Sequence, residues 1–169
     1  MDGKQVYASY LRSFTFGVED SLVSTVGFLS GIAAAGINSQ IIILSGLVLI
    51  FVESFSMAVG IFLSEYSAEN YLSVSKSNLR TSFNSGTIMF FSYFISGFIP
   101  LAPYILFAGD SSLAFSLLFS LMALFALGVV GARISGASVW KNGFRTLIIG
   151  GFAVVVGVVV GRYAAKFNL

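Results

Sequence analysis

Apolar residues fall in five long runs along the chain, and the polar residues between them cluster in short interruptions. A helix needs roughly 20 mostly apolar residues to cross the hydrocarbon of a bilayer. Five segments meet that length, at about 14–37, 41–64, 86–108, 113–134 and 146–165. Asn38-Ser39-Gln40 and Gly109-Asp110-Ser111-Ser112 read as tight polar turns, whereas residues 65–85 form a longer, Ser/Asn-rich polar connection. The pattern predicts an all-α membrane protein, a bundle of five transmembrane helices in a single transmembrane domain over residues 1–169.

Composition agrees with a lipid environment. Hydrophobic residues make up 57% of the chain and charged residues only 9%, with a mean hydropathy of +0.94; soluble domains carry about a quarter charged residues. The chain has no Cys and no His. Disulfides, thiolate or imidazole metal sites and the common nucleophile triads are therefore excluded, and no enzyme activity is expected. A bound cation would have to be held by carboxylate, carbonyl, hydroxyl or thioether groups.

The charge of +2 comes from Lys and Arg scattered between the runs, which fits loops at a membrane face and not a nucleic-acid footprint. Lys4, Arg12, Lys76, Arg80, Arg133, Lys141 and Arg145 fall on one side of a five-span topology, and Arg162 and Lys166 on the other. By the positive-inside rule the N-terminus is expected in the cytoplasm and the C-terminus outside or luminal.

Three carboxylates lie within the predicted spans: Glu19 and Asp20 in the first and Glu53 near the middle of the second. Each ionised carboxylate at mid-bilayer costs about 2.5–3.5 kcal/mol, so three unpaired ones approach roughly 10 kcal/mol, comparable to the whole stability of a domain. No Lys or Arg inside a span is placed to neutralise them. Protonation, water or a bound cation must compensate. Glu19 and Asp20 have a second reading: if the first helix starts near Ser21, both become N-terminal caps in the interface. Glu53 has apolar sequence for more than two turns on either side and no such alternative.

Met57 follows Glu53 by four residues and shares its helix face. Carboxylate plus thioether suits a first-row transition metal better than Mg²⁺ or Ca²⁺, although packing alone is an ordinary use of Met. Ser21, Ser24, Thr25, Ser54 and Ser56 add hydroxyls at the same level. Glu65 and Glu69, spaced i and i+4 where the second helix leaves the membrane, form either an acidic cytoplasmic entrance or a solvated helix end. Small residues recur at packing spacing in Gly27-x-x-x-Gly31, Ser56-x-x-x-Gly60 and Gly157-x-x-x-Gly161. Pro100 and Pro103 predict a kink in the third span.

Taken together, several of these segments resemble the vacuolar iron transporter family of five-helix, dimeric metal transporters. Glu19-Asp20-Ser21-Leu22-Val23-Ser24-Thr25 is similar to that family's Asp-Gly-hydrophobic-Val-Thr-Thr opening, and Glu53 to Gly60 resembles its acidic-Gly-Phe-Ser-Met-x-x-Gly segment. Gly97 to Tyr104 matches its Gly-x-x-Pro-Leu-x-Pro-Tyr signature, and Gly143-Phe144-Arg145 to Gly151 resembles its fifth-helix opening. The likeness covers nearly the whole chain in order.

The resemblance implies a homodimer that moves Fe²⁺, with Mn²⁺ as a further candidate, out of the cytosol in exchange for protons. It implies metal ligation by Asp20 and Met57, with Glu53 at a family carboxylate position, and it carries Glu19 by proximity only. Ser21 stands where the family usually has Gly, Leu49 where some members have a carboxylate, and Ile61 where many have Glu. Some members also carry a Glu-rich cytoplasmic metal-binding domain between helices two and three; residues 65–85 hold only Glu65 and Glu69. No permanently bound cofactor is expected, the partners being a divalent metal, protons, the lipid bilayer and a second copy. The contrasting expectation is a non-transporting membrane scaffold or assembly protein whose buried acids pair with a partner's basic residues.

Overall fold

A computed structural model describes residues 3–72, 79–107 and 111–167. These form five helices: α1 (Gly3–Ala34), α2 (Ser39–Leu72), α3 (Leu79–Leu106), α4 (Ser111–Ser135) and α5 (Val139–Lys166). Each exceeds the apolar run that predicts it. α1 begins at Gly3 instead of near 14, and residues 65–72 and 79–85, expected as polar connection, belong to α2 and α3. Lys76 and the Gly109-Asp110 part of the second predicted turn lie outside the described residues.

Hydropathy marks where lipid touches a helix, not where the helix stops. At 1.5 Å per residue the 32 residues of α1 extend about 48 Å, against roughly 30 Å of hydrocarbon. The surplus turns are held by polar contacts instead of apolar ones. Ser9 Oγ and Ser85 Oγ lie 3.0 Å apart, and Asn84 Nδ2 donates to the Tyr10 hydroxyl at 3.0 Å. The turn at Asn38 forms as expected. Gly36 takes a left-handed φ of 80°, and the Asn38 side-chain oxygen accepts the Ile41 N–H at 3.0 Å, capping α2.

Four helices, α2 to α5, are long and apolar enough to cross a membrane, with mean hydropathies of 2.3, 1.6, 2.5 and 2.1. α1 is not among them. Glu19, Asp20 and a series of serines dilute its apolar character, and its place in the bundle explains why that is tolerated. It packs extensively on α3 and α5 and also meets α2 and α4, so little of it needs to face lipid. Leu22, Val26 and Leu29 of α1 are wholly buried. Large apolar side chains instead point outward, as with Leu44, Phe55, Met122 and Phe152. Much of the interior is serine and glycine, which allow close helix approach where lipid gives no hydrophobic drive between helices.

The small-residue motifs divide accordingly. Gly27 and Gly31 of α1 lie directly against Gly157 and Gly161 of α5, backbone on backbone, so this pair of motifs packs one chain internally. Ser56 and Gly60 of α2 face outward, and a Cβ added at Gly60 would meet nothing within 4 Å. α3 continues as a helix through Pro100 and Pro103, and the Pro100 carbonyl accepts Ser116 Oγ of α4 at 2.6 Å. A helix–helix contact, not a ligand, uses that carbonyl.

Candidate intramembrane metal site

The α1–α2 pair carries the residues of interest, and one ion pair sets its register. Arg12 of α1 forms a salt bridge with Glu65 of α2. The helices run antiparallel, Asp20 lies eight residues beyond Arg12, and Met57 lies eight before Glu65. Both therefore stand about 12 Å up from the pair, at one level, with Glu53 one turn further on beside Ser24. Asp20, Glu53 and Met57 are each half-buried. The Asp20 carboxylate lies within electrostatic reach of Glu53 and of Glu19.

Neither Asp20 nor Glu53 pairs with a Lys or Arg among the described residues. Their charge is thus left to water, protons or a visiting cation. The contact between α1 and α2 is also the least extensive between neighbouring helices of the bundle. Two separate cavities flank the pair: one of about 440 Å³, formed mainly by α2, is lined by Glu53 with Phe28, Ser45 and Leu49, and a second of about 410 Å³ lies by Arg12 and Glu65.

Glu19 sits elsewhere. It lines a cavity of about 290 Å³ between α1, α4 and α5, with Thr15, Asn142, Arg145 and Thr146. Consecutive helix residues point about 100° apart. When Asp20 faces the α2 side, Glu19 turns toward α4 and α5. The capping alternative for both acids does not hold, since α1 starts sixteen residues before Glu19.

Glu65 and Glu69 are only 5% and 6% exposed, so the solvated helix end is corrected. For Glu65 the extended α1 supplies a cause, since Arg12, which precedes the apolar run, neutralises it.

Tyr93, which the sequence pattern does not single out, belongs to the site. It is fully buried on α3, its hydroxyl lies 2.7 Å from Ser24 Oγ, and it is within electrostatic reach of both Asp20 and Glu53. Its only sequence signal is a phenol in the middle of an apolar run. Ser21 donates to the Tyr93 carbonyl at 2.7 Å and is accommodated by Gly97, whose missing Cβ would come within 3.0 Å of the serine oxygen. Ser54 bonds back to the Phe51 carbonyl at 3.1 Å, an ordinary intrahelical arrangement.

Among the described residues no three carboxylates converge to form a metal-holding group. One copy brings Asp20 and Met57 to one level of the α1–α2 pair and Glu53 to the next, where Ser24 bonds the Tyr93 hydroxyl of α3. Fold and site together define an integral multi-pass membrane protein with unpaired carboxylates inside the bundle.

Comparison with known proteins gives the family. The VIT family model matches residues 11–84 and 68–162, and the chain belongs to that family. It is similar to "Vacuolar iron transporter homolog 1" of Arabidopsis thaliana, 29% identical over 88% of this chain and 80% of the relative. It is also similar to "Vacuolar iron transporter homolog 3" of the same plant, 26% identical over the same shares. "Vacuolar iron transporter homolog 2" of Oryza sativa subsp. japonica is 25% identical over 94% of this chain and 92% of the relative.

Proposed function

We propose that the protein is a divalent transition-metal transporter that moves Fe²⁺, with Mn²⁺ as a second cargo, out of the cytosol in exchange for protons. The observation that carries this reading is the pair Asp20 and Glu53, half-buried without a basic partner along the loosely packed α1–α2 seam. A cation and protons compete for such carboxylates, because ligation needs the deprotonated form. Metal release on one side is then favoured by proton uptake there. Met57 supplies a soft donor at the level of Asp20, which favours Fe²⁺ over Mg²⁺. Membership of the VIT family and the names of its relatives support the same class of cargo.

A single copy brings too few strong ligands to one place to enclose a metal. A two-fold dimer that opposes the α1–α2 seams doubles Asp20, Glu53 and Met57, and the outward Ser56 and Gly60 allow close approach. The N-terminal end of the seam, at Arg12 and Glu65, is taken as cytoplasmic from the distribution of Lys and Arg. The test is Fe²⁺ flux into proteoliposomes under an imposed pH gradient. Flux should follow the gradient and fall at least tenfold in Asp20→Ala and in Glu53→Ala; undiminished flux in both variants would remove these carboxylates from the mechanism.

A further inference from the structure

α1 and α2 share the least extensive contact between neighbouring helices of the bundle, and near the N-terminal end of α1 a charge pair joins them. Glu65 is an acid with only 6% of its side chain exposed, and its partner Arg12 is 65% exposed. The carboxylate is thus fixed in the wall while the guanidinium reaches in from solvent on a flexible stem. The pair borders the cavity of about 410 Å³ that Phe16, Ile61 and Ser64 complete, about 12 Å below the level of Asp20 and Met57. A cation entering the seam from this end passes Glu65 before it reaches the level of Asp20, and finds that carboxylate already paired with Arg12.

We propose that Arg12 is a tethered counter-cation that makes the mouth selective for divalent over monovalent ions. At equal distance a carboxylate attracts a divalent ion twice as strongly as a monovalent one. A potassium ion offers Glu65 no more charge than the guanidinium already there. A divalent metal offers twice the charge and displaces the side chain, which swings back to solvent without leaving Glu65 buried and unpaired. Arg12 therefore sets the metal concentration needed for entry and is a specificity-determining residue, distinct from the carboxylates further in. The inference rests on the transport reading above.

The experiment measures initial Fe²⁺ flux into proteoliposomes with Arg12 facing the metal, at constant ionic strength, with either potassium or N-methylglucamine as the monovalent cation. Wild type should show the same half-saturating Fe²⁺ concentration in both salts. Arg12→Gln should lower that concentration at least threefold in N-methylglucamine and become inhibited by potassium, and Arg12→Lys should restore indifference to potassium. A pair that only clamps the helices predicts a lower maximal rate with half-saturation and potassium response unchanged, and that result overturns the proposal. If Arg12→Gln is not recovered folded, Glu65→Gln decides: half-saturation should rise at least threefold, and an unchanged value overturns the proposal. Absence of wild-type flux overturns the transport reading and this inference with it, whereas wild-type flux with an unaltered Arg12→Gln profile overturns this inference alone.

Discussion

Gly157→Ala is the sharpest test of how the bundle is held. In a helix interior, Gly→Ala ordinarily gains about 0.5–1 kcal/mol through backbone entropy. At Gly157 the new carbon would run into the Gly27 carbonyl oxygen, and the neighbouring contact is also close, a Cβ on Gly31 falling 2.8 Å from the Gly157 oxygen. The obstacles are backbone atoms, which cannot rotate away as a side chain would. Only separation of α1 from α5 relieves the clash, at the cost of the glycine contacts one turn further on. Overpacking of this kind costs about 1–3 kcal/mol. Gly151, on the same helix, has nothing within 4 Å of an added Cβ and serves as the matched control. The entropic gain is common to both variants, so they should differ by the overpacking cost of about 1–3 kcal/mol, which for a chain of this size is roughly 2–12 °C in Tm. Thermal unfolding of the purified proteins in detergent, followed by circular dichroism, reads that difference. A Gly157→Ala protein that melts at or above Gly151→Ala would show that the helices do not meet through these glycines.

Further outcomes follow from the site. Tyr93→Phe removes the hydroxyl bonded to Ser24 and should cost about 0.5–1.5 kcal/mol in the same unfolding assay, with no loss in a Ser24→Ala, Tyr93→Phe double variant beyond that of Ser24→Ala. Met57→Leu should retain metal binding but lose its preference for Fe²⁺ over Mg²⁺, read in a competition series on purified protein; an unchanged ratio would assign the thioether to packing. Saturating metal should stabilise wild type by about 2.7 kcal/mol at a hundredfold excess over Kd, and Glu53→Gln should abolish the shift.

The spans of α2 to α5 are legible in the sequence because lipid imposes apolar residues on the faces it touches. Their ends are not. The turns around Ser9, Tyr10, Asn84 and Ser85 are polar yet helical, since what holds them is one another. Asp20, Glu53 and Met57 stand out as costly or unusual groups in apolar runs, and antiparallel pairing brings them to adjacent levels. Glu19 shares the same sequence signal but faces α4 and α5, a distinction of one step around a helix that composition does not reveal. Tyr93 and the Arg12–Glu65 pair depend on which helices are neighbours, information that emerges only with the packing.

The meeting of Gly27 and Gly31 with Gly157 and Gly161 joins two helices more than a hundred residues apart in the chain. During synthesis α1 leaves the ribosome long before its flanking wall exists, while carrying two acids and a line of hydroxyls that hydrocarbon solvates poorly. It must wait in the insertion machinery, or at the wet edge of the bilayer, until residue 161 has been added. Biogenesis of this chain should consequently complete late and all at once, and a nascent chain stalled before α5 should remain accessible to water-soluble reagents along the side of α1 that the finished protein conceals.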